Sequence, residues 1–141
     1  MPPFTLDPRL KAATIPYRRI AGFEVLLVDD SRWPWAMIVP AIPDIREITD
    51  LSEPQVRVMM KLTRNVARVL KHMHPECSTN IATLGNVVAQ FHLHIVARHE
   101  GDPNWPGPVW GFGEAQPHVD PEAALAAFDA AHAVIPELDR L

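Results

Sequence analysis

The sequence predicts an α+β domain built on an antiparallel sheet, and three observations carry that expectation. Two short apolar runs lie either side of a polar turn, a long amphipathic helix follows, and further strand-like runs precede an alanine-rich helix. Strands, helix, strands, helix is the order of a sheet covered by helices, not of alternating parallel units. The 141 residues suit one domain spanning 1–141, and 48% apolar residues are enough for a core.

Taken in order, residues 1–16 mix prolines with a short helical stretch from Pro8 to Ala13. Glu24-Val25-Leu26-Leu27-Val28 reads as a buried strand that stops at the turn signal Asp29-Asp30-Ser31. Trp35-Ala36-Met37-Ile38-Val39 reads the same way and stops at Pro40, so the pair suggests an antiparallel hairpin. Ser52-Glu53-Pro54-Gln55 is a helix start, with a capping hydroxyl, a first-turn proline and an amide at the capping-box position. Val56, Met59, Leu62, Val66, Leu70 and Met73 then recur every three or four residues, giving an amphipathic helix that ends near Pro75. Arg57, Lys61, Arg64, Arg68 and Lys71 form a second stripe, read as a solvated face.

Ser78 to Leu84 reads as a third strand, Gly85-Asn86 as a hairpin turn, and residues 87–99 as a long strand. Residues 102–113 form a proline- and tryptophan-rich loop, stiff rather than low in complexity. A last helix spans about 120–135, opened by Asp120-Pro121, packed through Leu125 and Phe128 and stopped by Pro136. Trp33 and Trp35 read as core packing and loop anchors.

Composition narrows the function classes. A net charge of -4 leaves no dominant basic surface for nucleic acid, though a local phosphate site remains open. The lone Cys77 excludes an internal disulfide and fits a reducing cytoplasm. Prolines interrupt the N-terminal stretch, so it lacks the pattern of a signal peptide, and no apolar run approaches the ~20 residues of a membrane span. Nothing in the sequence calls for a cofactor.

Chemistry concentrates in Gln90-Phe91-His92-Leu93-His94-Ile95-Val96. On a strand, Gln90, His92 and His94 share one face, about 7 Å between successive members, while Phe91, Leu93 and Ile95 point into the core. With the sheet covered on one side only, the polar three line its open face. From the residues alone, a structural pair, a metal pair and a catalytic pair all stay open. A neutral imidazole can attack phosphorus while its neighbour binds the non-bridging oxygens. Histidine-x-histidine can also offer two metal ligands, with His99, His118, Asp29 and Asp30 as candidate thirds.

That segment resembles the signature of the histidine triad family, in which three histidines alternate with apolar residues. The resemblance runs from about Glu24 to Arg98. It takes in the hairpin ending Ile38-Val39-Pro40, Asp50-Leu51-Ser52 before the helix, and Asn80 with Gly85 ahead of the signature. The stretch Asp102-Pro103-Asn104-Trp105-Pro106-Gly107-Pro108-Val109-Trp110-Gly111 is similar to that of a bacterial branch. The resemblance implies an antiparallel sheet of about five strands with one long central helix and a C-terminal helix, usually in a homodimer. It also implies a nucleotide near the histidine strand, and hydrolysis or transfer at its α-phosphate through a covalent nucleotidyl-histidine.

By position, the resemblance makes His92 the nucleophile and His94 the phosphate-contacting third histidine. Asn80, Gly85 and Asn86 fall at phosphate-loop positions, and Asp29 or Asp30 at that of the ribose-binding acid. Trp105 and Trp110 are candidates for the rim of the ligand site. The first triad position is Gln90, whose amide hydrogen-bonds but does not titrate. Trp35 stands where a further histidine is expected. Val87 stands where a hydroxyl residue is expected, with Asn86 beside it as a substitute.

Overall fold

The apolar runs flanking Asp29-Asp30-Ser31 pair as expected. In the computed structural model, which describes residues 2–135, strands β2 (Phe23–Val28) and β3 (Trp35–Pro40) are antiparallel, with Val25 opposite Ile38. The sheet has five antiparallel strands in the order β1-β2-β3-β5-β4, where β1 is Thr14–Ile20, β4 is Ser78–Ala82 and β5 is Leu93–Arg98.

Strand β1 is absent from the sequence reading, which ended its proline-rich opening at residue 16. It is an edge strand, so Pro16 can sit in it without breaking a ladder on both sides, and the register shifts at a bulge between Pro16 and Arg18. Ala21 and Gly22 close the β1–β2 hairpin at φ 51° and 85°. A two-residue turn wants that left-handed backbone at both places, and glycine supplies it more readily than alanine.

The helices begin where capping chemistry puts them. The Asp7 carboxylate caps α1 (Pro8–Ala12). Ser52 and Gln55 form a reciprocal capping box at α2 (Glu53–Met73), which ends with His74 as its C-cap. The face of α2 read from periodicity is the buried one, Met59, Leu62, Val66 and Leu70 being at most 2% exposed; Val69 joins them. Asp120 caps α3 (Pro121–Ala133), and Phe128 is its buried anchor with Leu125 partly buried beside it. Pro136, the expected stop, lies outside the described residues. No helix among the described residues is long and apolar enough to cross a membrane.

Two expectations around the histidines need correction. The strand expected over 87–99 is only Leu93–Arg98, so Gln90 and His92 precede it. Gly85-Asn86 is not a tight hairpin turn either. Strands β4 and β5 do pair antiparallel, Ala82 opposite His94, but residues 83–92 between them form a long irregular connection. Its backbone is held from outside the sheet, where Phe91 N–H donates to the Ile45 carbonyl at 2.9 Å. Turn-type residues mark a loop, and its length depends on tertiary contacts of this kind.

The sheet has two covered faces. Val25, Leu27, Ala36, Ile38, Leu93 and Ile95 point to the side packed by α2 and α3. The opposite face carries Leu26, Val28, Met37, Val39, His94 and Val96. Part of it lies under Phe4, Leu6 and Leu10 of the N-terminal segment, and part under Trp33, Val109 and Trp110. The histidine face is therefore not the open surface that one-sided cover implies.

The loop after β5 is tied down by Arg98, 1% exposed at the strand's end. Its guanidinium donates to both oxygens of Asp102, at 2.7 and 3.0 Å, and to the Gly107 carbonyl at 2.6 Å. A third arm reaches the Asn80 amide oxygen at 3.0 Å, which fastens the loop to β4 as well. Burial pushes the Asp102 carboxyl up, but the Arg98 guanidinium and the backbone N–H groups of Asn104 and His99 together hold it well below the usual carboxylate range. Removing one member of so buried a pair strands the other charge. Asp102→Ala is expected to cost about 3–5 kcal/mol by urea denaturation. An unchanged midpoint would show that the loop does not depend on this pair.

Candidate active site

The antiparallel register of β3 against β5 sets the site. Met37 lies opposite His94 and Trp35 opposite Val96, so Trp35 and His94 are diagonal neighbours on one face. The Trp35 indole Nε1–H donates to His94 Nδ1 at 3.0 Å. An indole nitrogen can only donate, so His94 Nδ1 is the acceptor and its proton sits on Nε2.

His92 is fixed in the opposite tautomer by a different partner. Its Nδ1 lies 2.8 Å from the Gln90 carbonyl oxygen. A carbonyl only accepts, so Nδ1 carries the proton and Nε2 keeps its lone pair. The two rings stand 5.1 Å apart at 79°, and both residues are less than a tenth exposed. Burial, then the neighbouring His92, pulls the His94 pKa down to about 4, so His94 is neutral at physiological pH. One imidazole thus offers a nucleophilic lone pair while its neighbour keeps a neutral N–H donor.

Aromatic rings flank His94. Trp35 and Trp110 lie 5.5 and 5.4 Å from the His94 ring and 6.2 Å from each other, nearly perpendicular. Of the two tryptophans expected at the rim, the structure brings Trp110 to the histidines. Trp105 stands instead near the Arg98 guanidinium, 5.8 Å from its ring. Trp33 is buried as expected, while Trp35 is more than packing, because it sets the His94 tautomer.

The remaining candidates divide. Gly85 and Asn86 lie in the connection that leads to His92. A side chain at Gly85 would meet only the Val88 and Arg46 carbonyl oxygens, at 3.9 and 4.0 Å, so steric need does not explain the glycine. Its effect is to leave the exposed backbone bare at this point of the connection. Asn80 sits on β4 opposite Val96 and has its side-chain oxygen engaged by Arg98.

Asp29 and Asp30 hold other parts of the fold. Asp29 accepts from the His118 backbone N–H at 2.8 Å and faces its Nδ1 at 3.0 Å, which lowers the Asp29 pKa. Asp30 is buried against Arg32 at 2.8 Å; burial raises its carboxyl, but the guanidinium brings the balance below the ordinary value. Among the described residues, no hydrogen bond joins either acid to His92 or His94. Nor do three or more histidine, cysteine or acidic side chains group together as a metal cage there.

The Gln90 side chain turns away from the imidazoles. Its Oε1 accepts from the Asp7 backbone N–H at 2.8 Å, and its Nε2 donates to the Thr5 carbonyl at 2.9 Å. Sequence reasoning missed this partner, and also missed Trp35 and Arg98. The one local signal was Arg98 with Asp102 four residues on, a charged pair closing an apolar strand.

The family model described as HIT domain matches residues 21–101. Among solved structures, a histidine triad (HIT) protein from Sinorhizobium meliloti 1021 is 43% identical, with a TM-score of 0.85 over 93% of this chain and 96% of that one. A histidine triad protein from Bradyrhizobium japonicum is 39% identical, with a TM-score of 0.87 over 92% and 98%. One from Marinobacter aquaeolei VT8 is 34% identical, with a TM-score of 0.88 over 98% and 99%. Among curated proteins there is no match.

The lowered His94 pKa has a signed consequence. Unfolded, His94 takes up its proton near 6.5; folded, only near 4. Between those values the unfolded chain binds more protons, so stability rises with pH across the window and is lost as pH falls through it. The contribution is up to about 3 kcal/mol. Urea denaturation from pH 7 to 4 should show this loss in the wild type and a shallower one in His94→Gln. Equal slopes would place the titration elsewhere.

Proposed function

The chain belongs to the histidine triad (HIT) family, and we propose that it is a nucleotide hydrolase or nucleotidyl transferase acting through a covalent nucleotidyl-His92. The observation that carries the proposal is the fixed tautomer of His92. With Nδ1–H on the Gln90 carbonyl, the Nε2 lone pair is free to act as the nucleophile. Nε2 attacks the α-phosphorus, the P–N bond forms, and the bond to the leaving group breaks with its electron pair. The product imidazolium keeps its Nδ1–H on the same carbonyl, so the charge that develops on the ring meets a fixed dipole. Water, or an acceptor hydroxyl, then attacks phosphorus and displaces neutral His92, and its proton passes to solvent.

His94 supports both steps as a donor. Its Nε2–H is directed by the Trp35 bond and can hydrogen-bond a non-bridging oxygen as charge builds there. Gly85 and Asn86 add bare backbone and an amide along the connection. No residue of the triad positions can protonate a departing group at position 90, since Gln90 is an amide. The leaving group therefore takes its proton from water, which favours groups that depart readily, such as phosphates, over poor ones. Trp110 borders the ligand in this reading. A homodimer and a cytoplasmic location, with the free Cys77 reduced, belong to the same proposal.

The engagement of the Gln90 amide by the N-terminal segment favours one alternative, a module that binds nucleotide with little turnover. Incubation with an adenosine phosphoramidate and a dinucleoside polyphosphate decides between them. The enzyme reading expects release of nucleoside monophosphate, a trapped nucleotidyl adduct, and loss of about a thousandfold or more in His92→Ala. Trp35→Phe, which removes one donor, should lose about tenfold while still folding. Micromolar binding of AMP with no product would leave the binding module, and a His92→Ala variant as fast as wild type would remove the mechanism.

A further inference from the structure

The first triad position is occupied by an amide whose two hydrogen bonds go to main chain 83 and 85 residues away. The Oε1 accepts from Asp7 N–H and the Nε2 donates to the Thr5 carbonyl, so Gln90 grips the N-terminal segment as a neighbouring strand would. An imidazole cannot copy this grip, because its two nitrogens point in divergent directions while the amide presents donor and acceptor side by side. The same residue's backbone carbonyl holds His92 Nδ1. One residue thus connects the N-terminal arm to the proposed nucleophile.

Three apolar anchors keep the arm on the histidine face. Phe4, Leu6 and Leu10 pack with Met37 and Val39, and Met37 is the cross-strand neighbour of His94. Between these anchors the arm carries Arg9 to the connection that precedes His92. Its Nη1 donates to the Val87 carbonyl at 3.1 Å, two residues past Gly85. Its Nε and Nη2 each lie 3.3 Å from the Asp7 carboxylate, which orients the guanidinium. Three of five N–H groups are so engaged, and two remain for a ligand. The Arg9 side chain is 60% exposed, where such a pair adds little to folding, so stability does not account for its placement.

Resting on the function proposed above, we infer that Gln90 is a positioning residue whose amide clamps the N-terminal arm, and that the clamped arm delivers Arg9 to the 83–92 connection as a substrate-phosphate contact. Arginine suits that task, since its planar fork meets phosphate oxygens two at a time. The inference also accounts for the loss of the first histidine. The position trades a titrating ring for an amide that brings a permanent cation to the same flank.

Two readouts test the two halves separately. Amide exchange by NMR follows the clamp without any need for activity: Asp7 N–H should exchange roughly tenfold faster in Gln90→Ala, and Gln90→His should not restore it. An unchanged Asp7 rate in Gln90→Ala overturns the clamp. For the contact, Arg9→Ala should raise KM for a dinucleoside polyphosphate about tenfold with a smaller change in kcat, and Arg9→Lys should recover only part. In Gln90→Ala the further loss from Arg9→Ala should shrink, because the arm no longer holds the guanidinium in place. Arg9→Ala with wild-type KM, or fully additive losses, overturns the contact. Should the wild type turn nothing over, the enzyme reading falls by itself. AMP affinity by calorimetry then stands in for KM, and equal affinities of wild type and Arg9→Ala overturn the contact.

Discussion

A slip of one residue between β3 and β5 would dismantle the site, because the side-chain period of a strand is two and every residue would change faces. Met37 opposite His94 and Ile38 opposite Leu93 fix that register. Ile38, Leu93 and Ile95 are at most 4% exposed and cannot leave the helix-covered core without exposing it to water. The apolar side of the sheet therefore enforces the polar side. Trp35 reaches His94 because aliphatic side chains on the other face hold the two strands in step.

On that frame the two histidines are specialised by their hydrogen-bond partners rather than by their own chemistry. Identical rings receive a carbonyl in one case and an indole N–H in the other. The carbonyl takes the Nδ1 proton of His92 and leaves Nε2 basic, whereas the indole occupies Nδ1 of His94 and leaves Nε2 a donor. Burial keeps the second ring neutral. A buried cation next to it would raise the cost of any positive charge formed on His92. In the proposed reaction the pair divides into a donor and a nucleophile, and only one of them gains charge.

Much of the fold was legible. The β2–β3 hairpin and α2 follow from local alternation, periodicity and caps, and neither needs a distant partner to be recognised. Strand β1 was not legible, because its proline is tolerated only at an edge, and being an edge is a property of the whole sheet. The histidine pair was visible in the alternation of residues 90–96, although the regular strand starts only at Leu93. Trp35 looked like core because nothing in the sequence says that β3 adjoins β5. Gln90 looked like a weakened catalytic residue because its partners lie at the other end of the chain. Asp29 and Asp30 read as ligand groups; His118 reaches Asp29 only through the returning loop, whereas Asp30 pairs with Arg32 two residues on.

The aromatic wall gives the molecule an optical property. Of the four tryptophans, Trp35 and Trp110 lie against the His94 ring, and Trp33 stands 6.3 Å from Trp35. Rings at such spacing exchange excitation readily, and a protonated imidazole quenches an excited indole more strongly than a neutral one. The intrinsic emission of this chain is thus weighted toward the neighbourhood of His94. Its colour and lifetime are expected to change with the charge on that ring, without an added dye.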